Sequence, residues 1–97
     1  MRYEIILSPE AEEDFHGLKA YLRASVRDAI ETHLRHEPTK TSKSRIKRLR
    51  GLSRPQFRLR VREVRVFYDV LEGVVEILAI VPKSEAESWL RKVGETR

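Results

Sequence analysis

A two-residue alternation over residues 56–70 constrains the fold of this chain more than any other feature. Every second side chain is apolar, in two runs that flank Arg62-Glu63 and comprise Phe57, Leu59, Val61, Val64, Val66, Tyr68 and Val70. Because successive side chains of a strand point to opposite faces of a sheet, the pattern predicts two strands that share one apolar face. Their short separation indicates an antiparallel hairpin with Arg60 opposite Arg65. Arg62-Glu63 lacks the glycine or asparagine typical of a two-residue turn, and a four-residue loop would preserve the same facing.

Periodicity also predicts the other elements. Ser8-Pro9 indicates the start of a helix, because serine caps helices and proline is tolerated at the first helical position. The expected elements are a strand over residues 3–7, a helical hairpin over 9–36, a loop over 38–44, a strand over 74–81 and a short helix over 85–93. In the later strand, Val75, Ile77, Ala79 and Val81 are expected on the apolar face. The fold class is therefore α+β, a helical hairpin packed on a small antiparallel sheet, and we expect one domain over the whole 97-residue chain.

Basic residues are concentrated between Lys43 and Arg65. That segment holds ten Lys and Arg residues against one acid, Glu63, which gives a charge of +9, although the whole chain carries only +5. A focused charge favours a polyanionic partner, either nucleic acid or an acidic protein segment. No apolar run is long enough to span a membrane, the first residues lack a signal-peptide stretch, and cysteine is absent. We therefore expect a cytoplasmic protein without membrane contact, disulfides or thiolate metal sites.

Arginines supply the polar positions of the predicted hairpin. Arg58, Arg60 and Arg65 share the face opposite the apolar side chains, together with Phe67. Like charges directly opposite each other destabilise a sheet by up to about 1 kcal/mol, so Arg60 facing Arg65 favours a bound anion. The planar guanidinium group donates two parallel hydrogen bonds to a phosphate and stays charged at physiological pH. The alternative is a solvent-exposed face on which the arginines pair with nearby carboxylates, those of Glu63, Asp69 and Glu76.

Four short strings follow one another along the chain. They are RLRGL at residues 48–52, FRLR at 57–60, VRVFY at 64–68 and the apolar strand that ends at Val81-Pro82-Lys83. In this order they resemble the RelE/ParE superfamily of toxins from type II toxin–antitoxin systems, and they look closer to RelE than to ParE. The resemblance covers nearly the whole chain. It implies a RelE-like fold with a curved sheet, a RelB-like antitoxin as partner, and a monomeric toxin within a larger toxin–antitoxin assembly.

The resemblance also implies an activity, that of a ribosome-dependent endoribonuclease without metal or cofactor. Such an enzyme cuts mRNA in the ribosomal A site by attack of a ribose 2′-hydroxyl on the adjacent phosphate. By position, Arg58 and Arg60 correspond to two basic catalytic residues, and Arg65 to an arginine that stabilises phosphate charge. Lys83 is expected to replace a charge that RelE proteins carry at the position of Ser84. The side chains expected to bind nucleic acid are Lys43, Arg45, Lys47, Arg48, Arg50, Arg54, Phe67 and Trp89.

Other interpretations stay open at the level of sequence. Leu90 stands where RelE proteins carry a tyrosine that stacks on a base, and Trp89 either replaces that stack or anchors the terminal segment on the core. Arginine is effectively always protonated, so Arg58 and Arg60 are poor general bases. The alternatives are a ParE-like inhibitor of DNA gyrase without chemistry of its own, and a degenerate member that only binds RNA or its antitoxin.

Overall fold

The computed structural model describes residues 1–96 and confirms the α+β class. The elements are, in chain order, β1 (Glu4–Leu7), α1 (Pro9–His16), α2 (Ala20–Ala29), a π-helical stretch (Ile30–Leu34), β2 (Ile46–Arg48), β3 (Leu52–Arg54), β4 (Phe57–Val61), β5 (Val64–Leu71), β6 (Val74–Pro82), α3 (Lys83–Val93) and β7 (Glu95–Thr96). The main sheet has the strand order β1-β6-β5-β4-β2, and β3 pairs with β7 in a separate two-stranded ladder. Strands β2, β3 and β7 have two or three residues each, too few for a periodicity to be visible in the sequence.

The helical hairpin begins where the sequence predicts it. Ser8 Oγ accepts a hydrogen bond of 3.1 Å from the backbone N–H of Ala11, and Pro9 occupies the first helical position. Gly17 ends α1 and donates its backbone N–H to the carbonyl of Glu13. Helix α2 runs directly into the π-helical stretch, so the second arm of the predicted hairpin is continuous in space but not uniformly α-helical.

Strand β1 differs from the expectation of a wholly antiparallel sheet. It pairs with β6 in parallel, with Glu4 beside Val74. A parallel neighbour requires a long crossover connection, which the helices and the intervening strands supply. All other pairs in the main sheet are antiparallel, and β4 and β5 place Arg60 opposite Arg65 as predicted. The turn between them consists of Arg62-Glu63 alone.

A β-bulge in β6 reverses the alternation expected for its second half. The register with β5 steps past Leu78, which has no pairing partner there. Beyond the bulge, Ile80 packs in the core on the helix side, whereas Ala79 and Val81 face the opposite side of the sheet. The expectation that Ala79 and Val81 join the helix-side core is therefore wrong, because one extra residue shifts a two-residue period by half.

Side chains from the start of the helical hairpin satisfy the backbone of this bulge. Ser8 Oγ donates a hydrogen bond of 3.0 Å to the carbonyl of Leu78. Asp14 Oδ2 accepts one of 3.0 Å from the backbone N–H of Ile80. Since backbone groups without a partner are costly away from water, these two contacts stabilise the irregular register.

Apolar side chains cover both faces of the main sheet. On the helix side, α1, α2 and the π-helical stretch pack against the central strands through buried residues that include Ala11, Val26, Ile30, Leu34, Leu59, Val66, Tyr68 and Ile77. On the other side, β5 and β6 contact α3 through Phe67, Ala79, Val81, Ala86, Trp89 and Leu90. Helix α3 therefore covers part of the face that bears the arginines. Within residues 1–96, no helix combines the length and apolar character that crossing a membrane requires.

Candidate nucleic-acid interface

Three arginines lie side by side on the face that α3 partly covers. Arg65 of β5 pairs with Arg60 of β4, and the backbone N–H of Arg60 donates to the carbonyl of Arg45, just before β2, at 2.8 Å. We call Arg45, Arg60 and Arg65 the arginine row. Arg58 and Lys47 pair with each other in the next rung and extend the row along the strands. Because neighbouring strands lie only about 4.8 Å apart, these charges repel one another unless an anion lies over them.

Arg65 is the most rigidly held member of the row. Its side chain is only 7% exposed, and Nη1 donates hydrogen bonds of 2.9 Å to the carbonyls of Arg62 and Val64. Burial lowers the pKa of the Arg65 guanidinium, and the nearby charge of Arg60 lowers it further. The group is thus a fixed, partly desolvated cation that lines neither of the two cavities beside Arg60, so its charge acts on them from within the sheet.

Arg58 extends the row along β4 and keeps one unused donor. Its Nη2 donates to the carbonyl of Ser44 at 3.0 Å, whereas Nε is buried and has no hydrogen-bond acceptor among residues 1–96. Burial lowers the pKa of Arg58, and the charges of Arg65 and Arg60 lower it further. A buried donor without a partner costs about 1–3 kcal/mol, so an acceptor supplied by a ligand would be favourable here.

Carboxylates neutralise only one of the arginines expected in the interface. Arg54 forms ion pairs of 3.2 Å through Nε with Asp69 Oδ2 and through Nη2 with Glu76 Oε1. The Asp69 side chain also accepts a hydrogen bond from the backbone of Gln56, yet burial raises the pKa of this carboxyl overall. These carboxylates match the charge of Arg54, which disfavours the predicted contact of Arg54 with nucleic acid. Within residues 1–96, no ion pair involves the arginine row or Arg58.

Arg60 lies between two cavities and lines both of them. The larger, of about 770 Å³, is lined by Arg60, Arg62, Glu63, Pro82, Lys83 and Ser84. The smaller, of about 230 Å³, is lined by Ser44, Arg45, Arg60 and Arg62. The structure thus brings the predicted Lys83 to the same cavity as Arg60, although they are far apart in sequence. Both cavities are open and basic, as a groove for a polyanionic strand must be.

Arg62 lines both cavities and is missing from the residues that the sequence singled out. Its φ of 51° is unusual for a residue other than glycine and costs about 1–2 kcal/mol. Contacts on both sides hold it: Nε donates to Ser25 Oγ at 2.9 Å, and the carbonyl accepts from Arg65. Backbone strain of this kind is found at functional sites. One feature of the sequence could have identified Arg62 as a site residue: it continues the alternation that places Arg58 and Arg60 at every second position.

The remaining basic residues differ in their placement. Lys47 is exposed beside Arg58, Lys43 is exposed in the loop before β2, and Arg50 is exposed in the turn between β2 and β3. None of these three lines either cavity of Arg60. Arg48 points the other way, because its guanidinium lies 5.1 Å above the ring centroid of Phe57 in the helix-side core. Arg48, which was expected to bind nucleic acid, therefore lies on the face opposite the arginine row.

The two aromatic residues expected to contact nucleic acid contact each other. Phe67 and Trp89 stack with ring centroids 4.8 Å apart and planes 11° from parallel. Phe67 is fully buried, so the expectation that it contacts nucleic acid is wrong. Trp89 retains partial exposure, but its remaining surface lines a cavity with Glu10, Arg54 and Glu95, outside both cavities of Arg60. Of the two interpretations left open for Trp89, the geometry favours the anchor.

Histidines do not contribute to the basic cavities described above. His33 is half-buried in the π-helical stretch, and burial lowers the pKa of its imidazole, with a further lowering from Arg45. Across residues 1–96, no three His, Cys, Asp or Glu side chains converge as ligands for a metal ion. The chemistry available at the arginine row is therefore that of fixed positive charges and one neighbouring carboxylate, Glu63.

The fold is similar to that of several solved toxins. The RelBE2 toxin–antitoxin complex from Mycobacterium tuberculosis aligns with a TM-score of 0.69 and 24% identity, over 84% of this chain and 99% of that one. The archaeal RelE–RelB complex from Pyrococcus horikoshii OT3 aligns with a TM-score of 0.64 and 24% identity, over 86% and 97%. A mutant of E. coli toxin RelE in the free state aligns with a TM-score of 0.60 and 14% identity, over 96% and 99%. At these identities the likeness establishes the fold.

Comparison of the sequence with protein-family models identifies the family. Among curated proteins, none matches the chain. The family model described as the ParE toxin of type II toxin–antitoxin systems, parDE, matches residues 5–87. The expected RelE/ParE membership is thus confirmed, whereas the closer kinship to RelE stays a prediction, since the family model bears the ParE name and the solved structures bear the RelE name. A match from β1 into α3, on a fold shared with RelE toxins, means that this chain belongs to the ParE toxin family of type II toxin–antitoxin systems.

Proposed function

We propose that this toxin is a metal-independent endoribonuclease that cleaves ribosome-bound mRNA in the A site. The observation that carries the proposal is the arginine row, three arginines at paired positions of neighbouring strands that form no ion pair within residues 1–96. A phosphodiester is the anion that fits a row of planar, bidentate donors best. Arg58 lies on the same face and adds a positive charge to that of the row, although it lines neither cavity of Arg60.

The reaction requires stabilisation of negative charge on the phosphate. The ribose 2′-oxygen attacks phosphorus, the bond from phosphorus to the 5′-oxygen breaks, and the products are a 2′,3′-cyclic phosphate and a 5′-hydroxyl. Arg65 is 7% exposed and lines neither cavity of Arg60, so we assign to it stabilisation of the developing charge through its fixed positive charge and not through direct contact. Arg60 contributes from the opposite strand. Lys83 lines the larger cavity together with Arg60, and we assign to it the transfer of a proton to the leaving 5′-oxygen.

The lining of the two cavities supports the proposed dependence on the ribosome. Neither cavity of Arg60 is lined by an aromatic side chain. Such a surface binds backbone phosphates without reading bases, so it needs another molecule to present one codon. Lys43, Lys47 and Arg50 are exposed outside the cavities and are available for ribosomal RNA. We further propose that the toxin acts in the cytoplasm and that a RelB-like antitoxin covers this basic surface, since the solved relatives include RelB–RelE complexes.

The test is cleavage of mRNA by purified toxin added to translating ribosomes, with the new 5′ ends mapped to the codon. Arg60→Ala removes an exposed member of the row and is expected to lower the cleavage rate by about 100-fold or more. Arg91→Ala removes an exposed arginine of α3 outside both cavities and serves as the matched control. Absence of new ends within the A-site codon would overturn the proposal.

A second candidate, inhibition of DNA gyrase, is favoured by two observations. The family model bears the ParE name, and Leu90 stands in place of the base-stacking tyrosine that the RelE resemblance implies. Leu90 packs against the buried side chains of Phe67, Ala79 and Val81. A toxin of this kind would inhibit supercoiling by purified gyrase in the absence of ribosomes. A degenerate member would instead bind RNA with a steep salt dependence and leave it intact.

A further inference from the structure

The larger cavity of Arg60 contains a single carboxylate. Of its six lining residues, Arg60, Arg62 and Lys83 are basic, Pro82 and Ser84 are neutral, and Glu63 alone is acidic. Cleavage by a ribose hydroxyl needs a group that accepts its proton, and arginine is too firmly protonated to do so. Glu63 is the one residue of this cavity with the chemistry of a base.

The backbone of Glu63 is held in place at the tip of the β4–β5 hairpin. Its carbonyl accepts a hydrogen bond of 2.7 Å from the backbone N–H of Lys83, which ties the hairpin to the start of α3. On the preceding residue, the carbonyl of Arg62 accepts the hydrogen bond from Arg65. The left-handed conformation of Arg62 is thus fixed from both sides of the turn, and it sets the direction in which the chain presents Glu63.

The carboxylate of Glu63 is exposed and remains available. Among residues 1–96, no Lys, Arg or His nitrogen forms an ion pair with it, although Arg60, Arg62 and Lys83 line the same cavity. These three cations keep a phosphate close by, while the absence of a direct ion pair leaves the carboxylate oxygens accessible as acceptors. A base beside a phosphate-binding row is the arrangement that general base catalysis requires.

We propose that Glu63 is the general base of the cleavage reaction, an inference that rests on the proposed endoribonuclease function. The proton of the ribose 2′-hydroxyl passes to the Glu63 carboxylate as the bond from the 2′-oxygen to phosphorus forms. The bond from phosphorus to the 5′-oxygen breaks, and the Lys83 ammonium supplies the proton that the leaving oxygen takes up. Exchange with water then returns one proton from Glu63 and restores one on Lys83, so no other reactant is consumed.

The experiment compares Glu63→Gln and Glu63→Asp with the wild-type toxin in the ribosome assay. Glutamine has the same size but cannot accept the proton, and a positioned base contributes about 100- to 10,000-fold, so the rate is expected to fall within that range. Aspartate keeps the base but shortens its reach, and an intermediate rate is expected. Glu72→Gln removes the same charge from the exposed turn between β5 and β6 and is the matched control.

Two further readouts separate loss of chemistry from loss of binding or folding. Glu63→Gln removes a negative charge from a basic surface, so ribosome binding is expected to be as tight as in the wild type or tighter. Hydroxide can replace a missing base, so the rate of Glu63→Gln is expected to rise with pH more steeply than the rate of the wild type. Thermal unfolding of the two proteins is expected to coincide.

The possible outcomes distinguish a failure of the Glu63 assignment from a failure of the proposed endoribonuclease function. If the wild type leaves A-site mRNA intact, the endoribonuclease proposal fails and the role of Glu63 fails with it. If the wild type cleaves and Glu63→Gln cleaves equally fast or faster, the function stands and only the assignment of Glu63 is overturned. A slow Glu63→Gln variant with the wild-type pH profile would also overturn the assignment, because it would still contain the base.

Discussion

Asp14 Oδ2 of α1 accepts a hydrogen bond of 3.0 Å from the backbone N–H of Ile80, on the far side of the sheet from α3. The contact holds the bulge after which Ala79 and Val81 turn towards α3. Since α3 begins at Lys83, directly after β6, a carboxylate on the helix side of the sheet helps to position a basic residue on the other side. The fold and the site are therefore coupled through one irregular stretch of strand.

This coupling predicts that Asp14→Ala destabilises the protein by about 1–3 kcal/mol, because the N–H of Ile80 loses its acceptor. Urea denaturation gives the free energy of unfolding. Trp89 is the only tryptophan and stacks on Phe67, so its fluorescence reports the packing of α3 at the same time. Glu13→Ala removes an exposed acid from the same helix and is expected to change stability by less than about 0.5 kcal/mol. Equal stability of the two variants would mean that the bulge does not depend on Asp14.

The sequence determined the β4–β5 hairpin well because alternation carries register information. Apolar and basic residues take turns on both strands, so only one pairing puts all apolar side chains on one face. The bulge gave no such signal, since residues 77–81 are all apolar. Either set of alternate side chains in this stretch could therefore face the helix-side core. The parallel pairing of β1 was equally hidden, because a strand of four residues does not encode the direction of its neighbour.

The sequence predicted a basic surface, but it did not predict which arginines have carboxylate partners and which line the cavities. Arg54 and Arg58 look alike in the sequence, but within the described residues 1–96 only Arg54 forms ion pairs with carboxylates, those of Asp69 in β5 and Glu76 in β6. Such partners are far away along the chain and become visible only with the fold. Arg62 continues the alternation of Arg58 and Arg60, which indicates a related role. Its position in a turn nevertheless gave no indication that it lines both cavities.

The contrast between Arg54 and Arg60 predicts different salt dependences of RNA binding. Arg60 is exposed without a carboxylate partner in residues 1–96, so Arg60→Ala is expected to reduce the slope of log affinity against log salt by about 0.7–1. Arg54→Ala is expected to leave the slope unchanged, because Asp69 and Glu76 already neutralise that charge. Binding of a single-stranded RNA, measured by fluorescence anisotropy at several salt concentrations, provides the comparison. An equal change in both variants would argue against a localised phosphate site.

The burial of His33 leads us to expect a loss of stability at mildly acidic pH. Burial lowers the pKa of its imidazole below the ordinary value of 6.5, so the unfolded chain binds a proton more readily than the folded one. The contribution of neutral His33 is complete above the unfolded pKa and is lost as pH falls from there through the folded pKa. Urea denaturation from about pH 7.5 down to 5 is expected to show a steeper loss for the wild type than for His33→Gln. His36→Gln, an exposed neighbour on the same segment, is the control, and a matching pH dependence of wild type and His33→Gln would contradict the prediction.

Trp89 tests whether α3 is anchored to the sheet or instead offers an aromatic ring to RNA. Its ring stacks on buried Phe67, so Trp89→Ala is expected to cost about 3 kcal/mol of stability, whereas Trp89→Phe retains a stacked ring and costs less. Cleavage is expected to follow the same order, because Lys83 at the start of α3 depends on the anchor for its position. Denaturation and ribosome assays on both variants give the two quantities together. If Trp89→Ala weakened RNA binding while leaving the free energy of unfolding unchanged, the indole would contact a base, and the helix would be held by its other contacts.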